Sequence, residues 1–526
     1  MFPTPPPRTD DATSLPAHLK AGHVLTEADV EQLQGLLSAK HASGSWARIE
    51  SALAITANAI GDSLHSMVRN FAGATSLGNR MLDSSRWFLL IACLISLPLV
   101  LNPGYFSHDE LQWLAFADKP ALAEVPWSAW FDFAPFQYRP LTFNLWLLLS
   151  HFIGYQPILM HMVRVLLGLA AAWLLRAVLL QFEVKPHRAS MACLVFLLTP
   201  YTVYTHGWVG TIGDSLCLIF MLMGADFVLS RPTHSDSWAL CALHALPIAA
   251  LTTLALMSKE SAVVFPAVVL VVALRRRDRV VAAAFAASAG IVLVYLSLRL
   301  QTILFSHDVA SGYHWSIANL PARVAEYSVF PFLTGHFEIF ASRRHLTNGL
   351  ALICLAIFTA ALASTGWRRF AVFWLGWLAA LGPVLILSVS ANHYGYLAAA
   401  YACGFVAAVW NIAKPLARLA FSLAAIVAVI HGYQEIREIR HIGRVQNHLY
   451  ADLTPLIAQG TEPISIKAQR NREDFILQRL LHEIPSYHRI PIASRVTVIP
   501  YSRSDLMPDY LMSGNGHLSA PRPPLP

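Results

Sequence analysis

From about residue 86 to residue 432 the chain is a succession of apolar runs separated by short polar turns. Several of the runs reach the roughly 17–25 residues that an α-helix needs to cross a bilayer. In hydrocarbon every backbone N–H and C=O must be satisfied within its own segment, so such runs can only be helices. The fold is thereby reduced to a question of how many spans there are and which way they face. Charged residues are 13% of the chain, about half the roughly 25% of soluble domains, and they fall mostly between the runs.

Eleven spans can be counted, near 86–102, 159–182, 189–204, 211–230, 238–257, 261–274, 280–300, 347–366, 370–390, 396–412 and 415–432. Cytoplasmic loops retain Lys and Arg. With the N-terminus inside, the inner turns hold Arg80 and Arg86, Lys185 and Arg188, Arg231, Arg275–Arg277 and Arg279, Arg368 and Arg369, and Lys414 and Arg418. This alternation holds through all eleven spans and puts the C-terminus outside. The stretch Thr142–Gly154 is too short to span and reads as a helix lying along the outer surface. The expected fold is an all-α polytopic membrane protein, N-terminus in and C-terminus out, with a small C-terminal α+β region outside the membrane.

Three parts follow: an N-terminal tail, 1–85, in which 46–70 has the spacing of an amphipathic helix; a membrane part, 86–432, including an outer loop at 103–158; and a tail, 433–526. In that tail ISIKA and RVTVIPY read as strands, REDFILQRLLHEI as a helix and SAPRPPLP as a disordered end. The six cysteines, Cys93, Cys193, Cys217, Cys241, Cys354 and Cys403, lie in apolar segments without a CxxC pair, which argues against a disulfide frame or a zinc site. A net charge of +7 without a basic stripe interleaved with aromatics gives no nucleic-acid reading.

The outer loop 103–141 carries the densest carboxylates near the membrane: Asp109, Glu110, Asp118, Glu124 and Asp132. Asp109 and Glu110 follow the first span and suit a base that takes a proton from an attacking hydroxyl. The same stretch also reads as a helix start, with Ser107 or Asp109 as cap. Tyr138 and Arg139 precede an apolar helix; a guanidinium there can grip phosphate oxygens in two prongs or anchor at headgroups. Arg164 lies a turn inside the second span, where a charge needs a partner or water. Asp214 opens the fourth span. Lys259 and Glu260 stand alone between two spans, a poor source of stability and a better grip on an anion. The turn 391–396 offers Asn392, His393 and Tyr394 for hydroxyl and phosphate contacts. Further candidates lie in 301–346: His307, Asp308, His314, Arg323, Glu326, Arg343 and Arg344.

Taken in order, these stretches resemble the GT-C superfamily of polyprenyl-phosphate-sugar glycosyltransferases, and most closely the TMTC-type O-mannosyltransferases and their bacterial relatives. Asp109–Glu110 looks like the family's acidic pair, Tyr138–Leu141 its YRPL segment, Trp208–Asp214 its W-I-x-G-R-x-D turn, Ser258–Glu260 its SKE turn, and Asn392–Tyr396 a diverged ERYLYLP segment. Ile212 and His393 stand where the family has arginines. The likeness covers about 85–412. It implies an inverting transferase in an inner membrane, with its site on the periplasmic face, a polyprenyl-phosphate-linked sugar as donor, and a glycan, lipid or protein as acceptor. Asp109, with Glu110, would be the base. Arg139, Lys259, Arg164 and His393 would hold the donor phosphate; Tyr138, Asp214, Glu260, Asn392 and Tyr394 would contact substrate. The likeness implies no organic cofactor, and dependence on a divalent metal varies across the superfamily. Two other readings stand beside this one: a transporter or flippase of lipid-linked sugars, and a non-catalytic protein of envelope assembly.

Overall fold

The computed structural model describes residues 79–521 except 136, 231–237, 306–314, 335–346, 390, 461 and 504. The amphipathic stretch 46–70, Arg231, His307, Asp308, His314, Arg343 and Arg344 lie outside the described residues. The chain is mostly helical. Its helices are α1 (Asn79–Val100), α2 (His108–Ala117), α3 (Pro140–Ile153), α4 (Pro157–Gln181), α5 (Pro186–Leu198), α6 (Pro200–Gly207), α7 (Ile212–Ser230), α8 (Trp238–Ser258), α9 (Phe265–Arg276), α10 (Arg279–Phe305), α11 (Leu320–Val329), α12 (Gly349–Ser364), α13 (Trp367–Leu381), α14 (Tyr396–Val409), α15 (Pro415–Gln459) and α16 (Asn471–Leu481). Among the described residues, six helical stretches are long and apolar enough to cross a membrane: Pro157–Gln181, Val209–Ser230, Cys241–Ser258, Arg279–Thr302, Trp367–Ile386 and Pro415–Gln459. Four shorter apolar helices accompany them, Ser85–Val100, Pro140–Ile153, Pro186–Leu198 and Gly349–Ser364.

Proline sets several of the breaks. The run expected to span 189–204 is two helices, because Pro200 has no N–H to continue α5 and instead opens α6 at its first position. Pro140, Pro157, Pro186 and Pro415 begin α3, α4, α5 and α15 in the same way. α15 is 45 residues long and runs well past 432 to Gln459. Its buried Ile436, Ile439, Ile442, Val445, Leu449, Leu453 and Ile457 keep one apolar face after the composition has turned polar. At Gly432 it passes so close to α5 that an added Cβ would stand 1.8 Å from the Leu198 carbonyl oxygen.

The loop 103–158 has a small core of its own. Trp113 of α2 stacks on Trp146 of α3 at 4.5 Å and on Phe143 at 5.1 Å, beside buried Ala117, Val125 and Leu147. Asn144 is paired with Ser128 by two hydrogen bonds, 2.7 Å to its N–H and 2.9 Å to its carbonyl. Together these fix α2, and with it Asp109 and Glu110, against α3.

After α15 comes the α+β part. A four-stranded sheet has the order β4-β1-β5-β6, built from β1 (Ile464–Ala468), β4 (Val496–Ile499), β5 (Tyr510–Met512) and β6 (Leu518–Ser519). β1 runs parallel to β4 and β5, with Ile466 opposite Val498 and Tyr510, and β5 pairs antiparallel with β6. β2 (Ser486–Tyr487) and β3 (Ile490–Pro491) form a separate hairpin. α16 buries Ile476, Leu477, Leu480 and Leu481, spaced as one helical face. This part docks on the loop 103–158. The Gln112 side-chain amide donates to the His482 and Glu483 carbonyls at 3.3 and 3.4 Å. Tyr155 donates to Asp118 at 2.7 Å, accepts from the His488 N–H at 2.9 Å and stacks on the His488 ring at 3.8 Å.

Candidate functional site

The site begins where three chain segments meet. Thr142, in the first turn of α3, donates to the Ser258 carbonyl at 2.7 Å. Gly213, in the first turn of α7, lies so close that a Cβ there would stand 2.6 Å from that carbonyl and 2.6 Å from the Thr142 hydroxyl oxygen. The turn after α8 is thus held against the N-termini of α3 and α7, and the charged residues on either side of it come together.

Arg139 Nε donates to Glu260 Oε2 at 2.8 Å, with both side chains partly buried. Lys259 is paired with Asp214, both fully buried, and Asp214 sits in the first turn of α7, where the helix dipole favours an anion. The Lys259 ammonium lies 4.5 Å from the centroid of the Tyr394 ring. His393 packs edge-on to Tyr394 at 4.4 Å and to Trp208 at 4.9 Å. Burial, and then the cations Lys259, Arg139 and Arg164, hold the His393 imidazole well below its usual range, so it is neutral. Asn392 is buried in the same turn.

Arg164 lies deeper and is almost fully buried. Its Nη2 donates to the Thr205 carbonyl at 2.5 Å and lies 3.3 Å from Thr211 Oγ1. It clamps the end of α6 and adds positive potential behind Asp214. Tyr138 belongs to the loop's packing: its hydroxyl donates to the Trp130 carbonyl, and its ring lies beside Phe133 at 4.6 Å and the Arg299 guanidinium at 5.9 Å. Arg323 and Glu326 pair with each other, and Arg323 donates to the Leu387 carbonyl at 3.1 Å, which ties α11 to the 387–388 turn.

On the other flank of Trp208 stands the acidic turn. Phe106 meets Trp208 edge-on at 5.4 Å. α2 is capped at Ser107, and Glu110 closes a capping box. Both Glu110 oxygens are engaged: Oε2 accepts from the Phe106 and Ser107 N–H groups at 3.0 Å each, and Oε1 from the Val209 N–H at 2.6 Å. Burial nevertheless pushes the Glu110 carboxyl up from 4.5 to about 7, against those three donors and with a smaller push from Asp109. Glu110 therefore joins the α2 turn to the Trp208 turn. Asp109 is different: a third of its side chain is exposed, and it pairs with His108 Nε2 at 2.8 Å.

Glu110→Gln is expected to cost about 1–3 kcal/mol, because an amide offers one acceptor oxygen to three N–H donors. The folded value lies above the unfolded one, so the carboxyl's contribution to stability is complete below pH 4.5 and lost as pH rises through about 7. Thermal unfolding of the Gln variant should lack that slope.

One residue of this region was not among the sequence candidates. Arg479, in the last turn of α16, lies over the Phe106 and Trp208 rings at 5.9 and 5.7 Å and donates to Ser107 Oγ at 2.8 Å. The signal in the sequence is slight, a single arginine near the end of an amphipathic helix. Among the described residues, no group of three or more His, Cys, Asp or Glu side chains is placed to hold a metal ion.

The contacts run unbroken from Arg139 and Glu260 through Lys259, Asp214, Tyr394, His393 and Trp208 to Phe106, Glu110 and Arg479. Four sequence stretches, 105–110, 138–142, 208–214 and 258–260, are brought together with 392–394.

No protein-family model and no curated protein matches this chain. Among solved structures it is similar to the oligosaccharyltransferase AglB of Archaeoglobus fulgidus in complex with an inhibitory peptide and a dolichol-phosphate, at 11% identity and a TM-score of 0.42, over 79% of this chain and 64% of that one. It is also similar to the Archaeoglobus fulgidus oligosaccharyltransferase tethered to an acceptor peptide containing the NVT sequon, at 12% identity and a TM-score of 0.41, over 78% and 63%. The chain thus spans a little under two thirds of the length of these archaeal enzymes.

Proposed function

We propose that this chain is a membrane-embedded, inverting glycosyltransferase of GT-C type that takes a sugar from a polyprenyl-phosphate donor. The acceptor is a glycan, lipid or protein at the non-cytosolic face of the membrane in which the chain sits. The observation that carries the reading is the charge balance of the buried cluster. Arg139, Lys259 and Arg164 set three cations against the two carboxylates Asp214 and Glu260. Glu110, the further carboxylate felt by Arg164, is pushed up to about 7 by burial; with it protonated, one positive charge is left over beside apolar helices, where an isolated charge is costly and a phosphate would compensate it.

In the reaction the acceptor hydroxyl attacks the anomeric carbon and gives its proton to the Asp109 carboxylate. The new C–O bond forms as the bond to the phosphate oxygen breaks, and polyprenyl phosphate leaves with the bonding pair. Lys259 and Arg139 stabilise that developing charge in a site poor in water. Arg164 adds potential from behind. Neutral His393, with Asn392 and Tyr394, offers hydrogen-bonding partners for sugar and phosphate oxygens. Glu110 holds the α2 turn in place.

The test uses the full-length chain in nanodiscs with radiolabelled polyprenyl-phosphate hexoses. Lipid, glycan and protein fractions of the cell envelope serve as acceptors. Label should move to one fraction with inverted anomeric configuration, and mass spectrometry of a deletion strain should show the matching product one sugar lighter. Label that crosses the bilayer without leaving its lipid would instead favour a flippase.

A further inference from the structure

We propose that Arg479, carried to the site by the C-terminal α+β part, is a positioning residue for the Ser107–Glu110 turn and a counter-charge of Glu110, whose carboxylate meets the same Ser107. The inference rests on the glycosyl-transfer reading of that turn and makes the C-terminal part a working component of the site. Three observations support it. The guanidinium lies against both Phe106 and Trp208, the two rings that flank the turn, while Nη2 donates to Ser107, the cap of α2. Burial pushes the Arg479 guanidinium down from its usual range, and the nearby carboxylates Asp109 and Glu110 work against that, although no direct ion pair joins them. Among the described residues no acceptor meets its buried Nε, so packing and the carboxylates' field hold the group rather than a saturated set of hydrogen bonds.

The docking around it is specific. Gln112 donates to the carbonyls of His482 and Glu483, the residues that follow α16. The Tyr450 hydroxyl donates to the Leu480 carbonyl at 2.9 Å, which fixes the same turn of α16 from α15. His108, the partner of Asp109, meets the His482 ring edge-on at 5.3 Å. Arg479 is thus held at the acidic turn by contacts on both sides of it. An arginine there favours the ionised form of Glu110, whose Oε2 accepts from the Ser107 N–H at 3.0 Å.

Among the described residues, the charged and titratable groups around the acidic pair include His108 on α2, Tyr105 before it, Arg164 on α4, and Arg479 and His482 from the C-terminal part; Tyr204 on α6 acts on Arg479. Arg479 is the arginine of this group that the C-terminal part supplies.

The probe is dicyclohexylcarbodiimide, which reacts with protonated carboxyl groups, applied to the full-length chain in nanodiscs across pH. Mass spectrometry reads labelling at Glu110, whose carboxyl is pushed up to about 7 by burial. Arg479→Gln should raise the labelling midpoint by about one pH unit, whereas Arg479→Lys should leave it within a few tenths of wild type. Arg479→Met keeps the stem packed on the two rings and serves with the same expectation where the Gln variant does not fold. An unmoved midpoint in a folded Gln or Met variant overturns the proposal, and so does a Lys variant that shifts as far as Gln. No sugar transfer enters this measurement. Wild-type transfer with an unmoved midpoint therefore sinks the role of Arg479 alone. A moved midpoint in a chain that transfers nothing supports that role and sinks the glycosyltransferase reading.

Discussion

Asp109→Asn should slow sugar transfer by about 10²–10⁴-fold while the chain still folds and still retains polyprenyl phosphate. The side chain is one-third exposed, its contact is His108 at 2.8 Å, and an asparagine of the same size can keep a hydrogen bond to that ring. Packing is therefore not at stake, in contrast to Glu110, whose two oxygens meet three backbone donors. What asparagine lacks is the capacity to accept a proton from the attacking hydroxyl. The phosphate-side residues lie beyond Trp208 and His393, so a lipid phosphate binds as before. Turnover of a radiolabelled polyprenyl-phosphate hexose, and co-purification of the unlabelled lipid phosphate measured by native mass spectrometry, separate the two effects. Transfer that persists at wild-type rate would remove Asp109 from the base role. Loss of transfer together with loss of lipid retention would make it a structural residue.

The two neighbouring carboxylates show what could be read from residue order and what could not. A cap at Ser107 or Asp109 was legible from the sequence; the structure settles on Ser107, three residues before Glu110, at capping-box spacing. That Glu110 would also reach Val209, 99 residues on, was not, since residue types carry no record of long-range partners. The charged turns were legible because charge between apolar runs is costly and therefore conspicuous. Their pairing, Arg139 with Glu260 and Lys259 with Asp214, depends on how tightly α3, α7 and α8 approach one another, which rests on a glycine at 213. The end of α15 was hidden for another reason. Around residue 433 the chain turns polar, and the change in composition outweighed a buried-face spacing that in fact continues from Ile436 to Ile457. Arg479 escaped notice because its significance comes from docking: the contact with Ser107 joins residues 372 positions apart.

Lys259→Met should weaken lipid-phosphate retention by about ten- to a hundred-fold, which corresponds to the roughly 1.5–3 kcal/mol of a charge-assisted hydrogen bond. It should also destabilise the chain by about 3–5 kcal/mol, because Asp214 would be left buried without its cation. These two losses have different origins, and a second substitution separates them. In Lys259→Met/Asp214→Asn no buried charge is stranded, and the asparagine can still accept at the N-terminus of α7, so most of the stability should return. Retention should not return: the double variant keeps the net charge of the cluster, with Arg139 and Arg164 against Glu260, but the cation 4.5 Å from the Tyr394 ring is gone. Thermal unfolding in detergent reads the first quantity and native mass spectrometry with polyprenyl phosphate the second. Recovery of both in the double variant would mean that Lys259 serves only to pair Asp214. Recovery of stability alone assigns the ammonium to the phosphate, with Asp214 as the group that keeps it charged and aimed in a setting where an unpaired lysine would give up its proton.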